Sequence, residues 1–227
     1  MLAVALLLVL GASLASADTY SGGLYGNDGG LVGTGAWVTE PVPPDGWTSP
    51  GLTWNVIQRS AGYWHYAYQL KVPVGAVSHF DLEASEGFGC KDIFGDSGDF
   101  NQVEIGWLDP ATGNSNPGMP ERMYGIKFDE AVNTTFNVAF DSWRAPVWGD
   151  FYAKDGKAHS DVFNAIWNSG FTHPDSDPNA PPANGALNGH LLRPDTTVTP
   201  IPEPGTLALL GLGLGAAGVR LRRRKRA

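Results

Sequence analysis

Between Tyr63 and Val72 large apolar side chains recur at every second position: Trp64, Tyr66, Tyr68, Leu70 and Val72 fall on one face. A period of two is that of a half-buried β-strand, and no helix can sort these residues onto one side. The same alternation returns along the chain. Phe80, Leu82 and Ala84 alternate with His79, Asp81 and Glu83, and Val103, Ile105 and Trp107 alternate around Glu104. Tyr124, Ile126 and Phe128 alternate around Lys127, and Phe136, Val138 and Phe140 follow suit. Leu52 to Ile57 and Ala36 to Val38 are further strand candidates, and Val147 to Ala153 runs into the turn Asp155-Gly156, a hairpin signal. Only Val162 to Trp167 reads as a helix candidate. The pattern predicts roughly eight or nine short strands. The expected fold is all-β, a single antiparallel β-sandwich, jelly-roll-like or immunoglobulin-like.

Composition agrees with many turns around a real core. There are 30 Gly and 17 Pro in 227 residues, while 42% are hydrophobic and 8 are Trp. Tyr20 to Gly35 is Gly-rich and reads as a loose leading segment. Thr172 to Pro200 is rich in Pro, Asp, Asn and Gly and reads as a loop and linker. Charge is divided unevenly. Asp18 to Ile201 holds 22 acidic and 9 basic residues, whereas six basic residues crowd into Arg220 to Arg226. An acidic middle excludes nucleic acid as a partner, because backbone phosphates need clustered Lys and Arg. The single cysteine, Cys90, excludes an internal disulfide and is expected to be buried.

The two ends read as export signals. Met1 to Ala17 is an apolar run closing in Ala15-Ser16-Ala17, the small-x-small pattern of signal-peptide cleavage, so cleavage is expected between Ala17 and Asp18. No basic residue precedes the run, a departure from the usual signal peptide. At the other end Pro202-Glu203-Pro204 is followed by an uncharged stretch, Gly205 to Val219, and then by the basic residues of 220–227. The stretch can enter a bilayer as one short transmembrane helix, and the basic tail holds its end in the cytoplasm. The expected organisation is a signal peptide over 1–17, an ectodomain over 18–171, a linker over 172–200 and a sorting signal over 201–227.

This ordered tail resembles the PEP-CTERM sorting signal, also labelled an ice-binding-protein C-terminal domain. The resemblance covers Ile201 to Ala227 and implies that Pro202, Glu203 and Pro204 are read by an exosortase-like transpeptidase. It implies transient anchoring in the inner membrane, then delivery to the cell envelope, surface or extracellular matrix. Signal peptidase is the other expected partner during export. Tyr124 to Asp129 and Pro146 to Gly156 resemble the ectodomain of one uncharacterised PEP-CTERM group, which implies no activity. No Thr-x-Thr ladder supports an ice-binding face.

The middle of the chain offers binding candidates and no catalytic motif. Gly95-Asp96-Ser97-Gly98-Asp99 has the outline of a protease nucleophile loop, but Asp99 stands where Gly belongs and no His lies in the matching upstream context. Asp92, Asp96 and Asp99 on a Gly-rich loop are the hard oxygen ligands calcium would take, without EF-hand spacing. Beyond that ion no cofactor is expected. Glu83, Glu86 and Glu104 are carboxylates of the type glycosidases pair, with nothing to single them out. Trp37, Trp47, Trp143 and Trp148 are flanked by turn residues and are candidates for stacking on sugar rings. Trp54, Trp64 and Trp107 lie on alternating strands and are expected in the core. The expected function is a structural or binding protein of the cell surface or matrix, with polysaccharide as partner and no enzymatic activity. The alternatives are a secreted carbohydrate-active enzyme and a calcium-dependent adhesive module.

Overall fold

The computed structural model describes residues 18–38, 49–59, 62–110, 116–129, 133–156, 163–172 and 180–195. All of them belong to one compact unit, Asp18–Thr199. Alternation builds the first sheet. Strands β3 (Gly51–Gln58), β4 (Trp64–Lys71) and β9 (Thr135–Ser142) each bury every second side chain. They pair antiparallel with β1 (Thr19–Tyr25) and β6 (Phe94–Gly98) at the edges, in the order β1-β3-β4-β9-β6. The second sheet has the order β2-β12-β11-β5-β8-β7 and is also antiparallel. Its strands are β2 (Leu31–Thr34), β5 (Val77–Glu83), β7 (Gln102–Leu108), β8 (Met123–Asp129), β11 (Phe151–Asp155) and β12 (Ala165–Asn168). A separate ribbon pairs β10 (Pro146–Gly149) with β13 (Leu191–Pro194).

The inner faces of the two sheets meet through aromatic rings. Tyr68 lies 5.9 Å from Phe80, Phe80 lies 5.6 Å from Phe136, and Phe128 lies 5.7 Å from Phe140, all between ring centres. Such contacts add to the large apolar area each ring removes from water. The buried tyrosine hydroxyls keep partners: Tyr66 donates to the Arg144 carbonyl at 2.7 Å and Tyr68 to the Leu192 carbonyl at 2.8 Å. The result is an all-β, sandwich-like fold. No α-helix occurs among the described residues, and none of their helices is long and apolar enough to cross a membrane. The expected span over 205–219 lies outside the described residues, as do the signal peptide and the sorting motif.

Several expectations need correction. Thirteen strands form among the described residues, more than expected because short edge strands carry too few residues to show a period. The Gly-rich leading segment forms β1 and β2, whose backbone pairs with β3 and β12. Residues 165–168 form a strand, and the helix candidate fails because its apolar residues pair across β11. The segment assigned to a linker contributes β13, with Leu191 and Leu192 fully buried. Val147 to Ala153 is two strands in different sheets, broken at Asp150.

The second sheet departs most from a simple alternation. His79, Asp81 and Glu83 were the expected solvent face of β5, yet all three are buried. Their side is covered by a smaller apolar cluster of Leu108, Met119, Met123, Tyr152, Ala165 and Phe171. Tyr152 ties that cover down by donating to the Pro117 carbonyl at 2.6 Å.

Candidate functional site

Among the described residues the outer face of the first sheet offers a broad open surface. Odd-numbered residues of β3, β4 and β9 point there, and register sets them in rows. Gly23, Thr53, Gln69 and Asn137 form one row, and Ser21, Asn55, Ala67 and Ala139 form the next, with Ser97 of β6 beside Ala139. Small side chains make the floor a shallow groove of about 430 Å³, lined among others by Thr53, Asn55, Gln69, Ser97 and Asn137. A second groove of about 460 Å³ continues it past Lys71 and Thr135, sharing Thr53 and Gln69. The floor is organised by hydrogen bonds: Gln69 Nε2 donates to Asn137 Oδ1 at 2.8 Å, and Asp99 Oδ2 accepts from the backbone and side chain of Asn137 at 2.9 and 2.8 Å.

Aromatic rings stand at both ends of this face. At one end Tyr25 is 43% exposed. Its ring lies against Gly23 and Gly51: a Cβ on Gly23 would come within 2.8 Å of the Tyr25 hydroxyl, and one on Gly51 within 2.9 Å of the ring. The two glycines therefore let the ring lie on the sheet, where any side chain would lift it. At the other end Trp143 is 48% exposed and packs edge-on against Tyr63 at 5.6 Å and tilted against Phe94 at 5.6 Å. Just inside it His65 and Asp141 are joined at 2.7 Å. From the row of Thr135 to Trp143 the strand rise gives about 26 Å, the length of several pyranose units.

The other expected stacking residues behave differently. Trp37 and Trp148 are fully buried core residues, whose indole N–H groups donate to the carbonyls of Val74 at 2.8 Å and Pro181 at 3.2 Å. The flanking turn residues do not expose these indoles, because segments distant in sequence, at Val74 and Pro181, lie against them. Trp47 lies outside the described residues. Trp54 and Trp64 are buried as expected, but Trp107 is 48% exposed. It sits on β7, the edge strand of the second sheet. Cys90 is exposed rather than buried.

The expected calcium ligands do not converge. Asp92 is buried and takes Arg144 Nε at 3.0 Å on one oxygen and the Gly89 N–H at 2.9 Å on the other. Burial alone would raise its pKa, but these donors outweigh it and hold the carboxyl below its usual range. Asp99 caps Asn137, and Asp96 is exposed. Among the described residues no three His, Cys, Asp or Glu side chains group as metal ligands.

A second concavity of about 430 Å³ opens at the end of the second sheet, between Trp107, Glu121, Arg122, Phe171, Glu83 and Asp150. Arg122 lies over the Trp107 ring at 4.0 Å, and Tyr124 meets that ring edge-on at 5.6 Å. Glu83 sits at its floor. One of its oxygens accepts the Asp150 N–H at 2.9 Å, and the other lies 3.6 Å from Arg193. Burial outweighs Arg193 and pushes the Glu83 pKa up to about 7. Behind it Asp150 Oδ1 is held by His190 at 2.9 Å and Asn168 at 2.7 Å. Nothing in the alternation of β5 marked Glu83 as different from an exposed polar residue.

Deeper under the cover of the second sheet, His79 and Asp81 lie 3.6 Å apart and Lys127 reaches Asp129 at 2.5 Å. Burial and the nearby Lys154 and Lys127 lower the His79 pKa to about 3, so its ring is neutral at physiological pH. Burial raises Asp81 well above the usual carboxylate range. This network is a polar layer buried beneath the apolar cover of the second sheet.

Comparison with known proteins identifies the tail. Residues 200–225 match the family model of the PEP-CTERM protein-sorting motif, which spans Pro202-Glu203-Pro204, the apolar stretch and most of the basic run. The match indicates an exported protein handled by exosortase-type sorting and directed to the cell envelope or surface. No curated protein and no solved structure matches the chain.

Proposed function

We propose that the folded unit is a polysaccharide-binding module of the cell surface or extracellular matrix, delivered there by its sorting signal. One observation carries this reading: the outer face of the first sheet joins a floor of amide and hydroxyl groups to exposed rings at both ends. Amides supply donors and acceptors for sugar hydroxyls, and flat rings present apolar faces to the C–H side of a pyranose. The excess of acidic residues favours a neutral or cationic glycan over an anionic one. The two carboxylates at this face are each engaged, Asp99 by Asn137 and Asp141 by His65, whereas glycosidic hydrolysis needs a pair free to act on the bond. That favours binding over cleavage at this face.

The test is affinity electrophoresis in gels cast with neutral exopolysaccharides. Trp143→Ala and Tyr25→Ala are each expected to weaken retardation about tenfold, on the order of 1.4 kcal/mol. Gln69→Ala should weaken it less. If no neutral polysaccharide retards the wild-type chain, or both aromatic variants migrate like it, the proposal is wrong.

A further inference from the structure

The concavity beside Trp107 is separate from the face of the first sheet and has a different chemistry. Its open side is an exposed indole on edge strand β7. Glu86 and Glu121 line its rim, both exposed, and Glu83 and Asp150 form its floor. Phe171 and Met123 are buried beneath it and make part of its lining apolar. Of its four carboxylates, Glu83 lies 3.6 Å from Arg193 and Asp150 is bonded to His190, while Glu86 and Glu121 share the rim with the single cation Arg122. The rim therefore keeps an excess of negative charge next to an aromatic face.

A cation already rests on that face, since the Arg122 guanidinium lies 4.0 Å over the indole. Arg122 is exposed and is itself part of the rim, so it can swing aside. Trp is the ring that attracts cations best, and a carboxylate beside it adds hydrogen bonds to N–H donors. A sugar ring bearing a free amino group offers both: an apolar face for the indole and an ammonium for Glu86 and Glu121.

We infer that the Trp107 concavity is a second glycan site, selective for amino sugars whose amine is free and positively charged. Together with the face of the first sheet it would let one molecule hold two polysaccharide chains. That consequence rests on the function proposed above, whereas the amine selectivity does not. Glu83 serves this site as its floor, with one oxygen accepting the Asp150 N–H and the other 3.6 Å from Arg193.

The experiment titrates the intact chain, solubilised in detergent, with a glucosamine oligomer and with its N-acetylated counterpart, following tryptophan fluorescence. The free-amine oligomer is expected to bind at least tenfold more tightly than the acetylated one. Trp107→Ala and Glu121→Gln should each lower its affinity at least fivefold, and Arg122→Ala should raise it by removing the internal competitor. The titrations are repeated in a Trp143→Ala background, which disables the first-sheet site, and the preference for the free amine should persist there, so failure of the first-sheet site cannot be mistaken for failure of this one. Equal affinity for the two oligomers, absence of binding, or indifference to Trp107→Ala overturns the inference.

Discussion

Replacing Glu83 with Gln tests whether desolvation or pairing dominates at the end of the second sheet. Glu83 is 8% exposed and lies 3.6 Å from Arg193, which is 1% exposed. If pairing won, the folded pKa would fall below its ordinary value of 4.5. Burial instead raises it to about 7, with Asp150 and Glu121 also opposing the charge. Between pH 4.5 and 7 the folded chain then holds a proton that the unfolded chain has released. Stability contributed by Glu83 is therefore complete below pH 4.5 and is lost as pH rises through 7, by about 3 kcal/mol in all. Gln mimics the protonated acid at every pH. The variant should match the wild type near pH 4.5 and exceed it by about 3 kcal/mol at pH 8. In urea that is a midpoint shift of about 1–2 M. Buried Trp37, Trp54 and Trp148 report the transition by fluorescence. The difference between the two profiles isolates Glu83, because His79 and Asp81 titrate equally in both. A pH-independent difference, or a Gln variant that becomes the weaker one as pH rises, would refute the reasoning and make Glu83–Arg193 a conventional ion pair.

Two further outcomes follow from burial. Trp37→Ala and Trp148→Ala should each cost about 3–5 kcal/mol by urea denaturation, while Trp143→Ala should stay within about 0.5 kcal/mol of wild type. A chain ending after Asp195 should keep the wild-type melting transition. One ending before Leu191 should lose it, because removing β13 strips two buried leucines and leaves Glu83 without Arg193.

What the sequence revealed depends on whether a strand faces water. β3, β4 and β9 expose one face, so their alternation is complete and their core residues are legible. β5 and β11 are covered on both faces, and their polar residues look like a solvent face until the cover of Met119, Tyr152 and Phe171 is seen. β13 hides in a Pro- and Asn-rich stretch because four residues show no period. Trp107 and Trp148 exchange their expected places for a topological reason, as one lies on a sheet edge and the other against the distant segment at Pro181. The candidate face was legible only at Trp143. Its floor is made of Thr, Asn, Gln and Ser, which carry no sequence signature, and Tyr25 was hidden in glycines whose role is to let its ring lie flat.

The position of β13 bears on sorting. A linker running from 172 to 200 would place the sorting motif far from the folded unit. Because Leu191–Pro194 is locked into the ribbon with β10, only the residues after Pro194 remain as tether. Eight residues of chain from Pro194 to Pro202 reach at most about 29 Å, and less in any relaxed conformation. The sorting motif thus follows the last strand closely along the chain, and a processing enzyme that reads it works within that chain length of β13. Extending the tether by about ten Gly-Ser residues should speed processing if this proximity limits access, as read from the ratio of precursor to processed chain over time. If the β-domain were unfolded from its last strand during sorting, the tether would already be long. Extension would then change nothing, while locking β13 to β10 by a disulfide would block processing altogether.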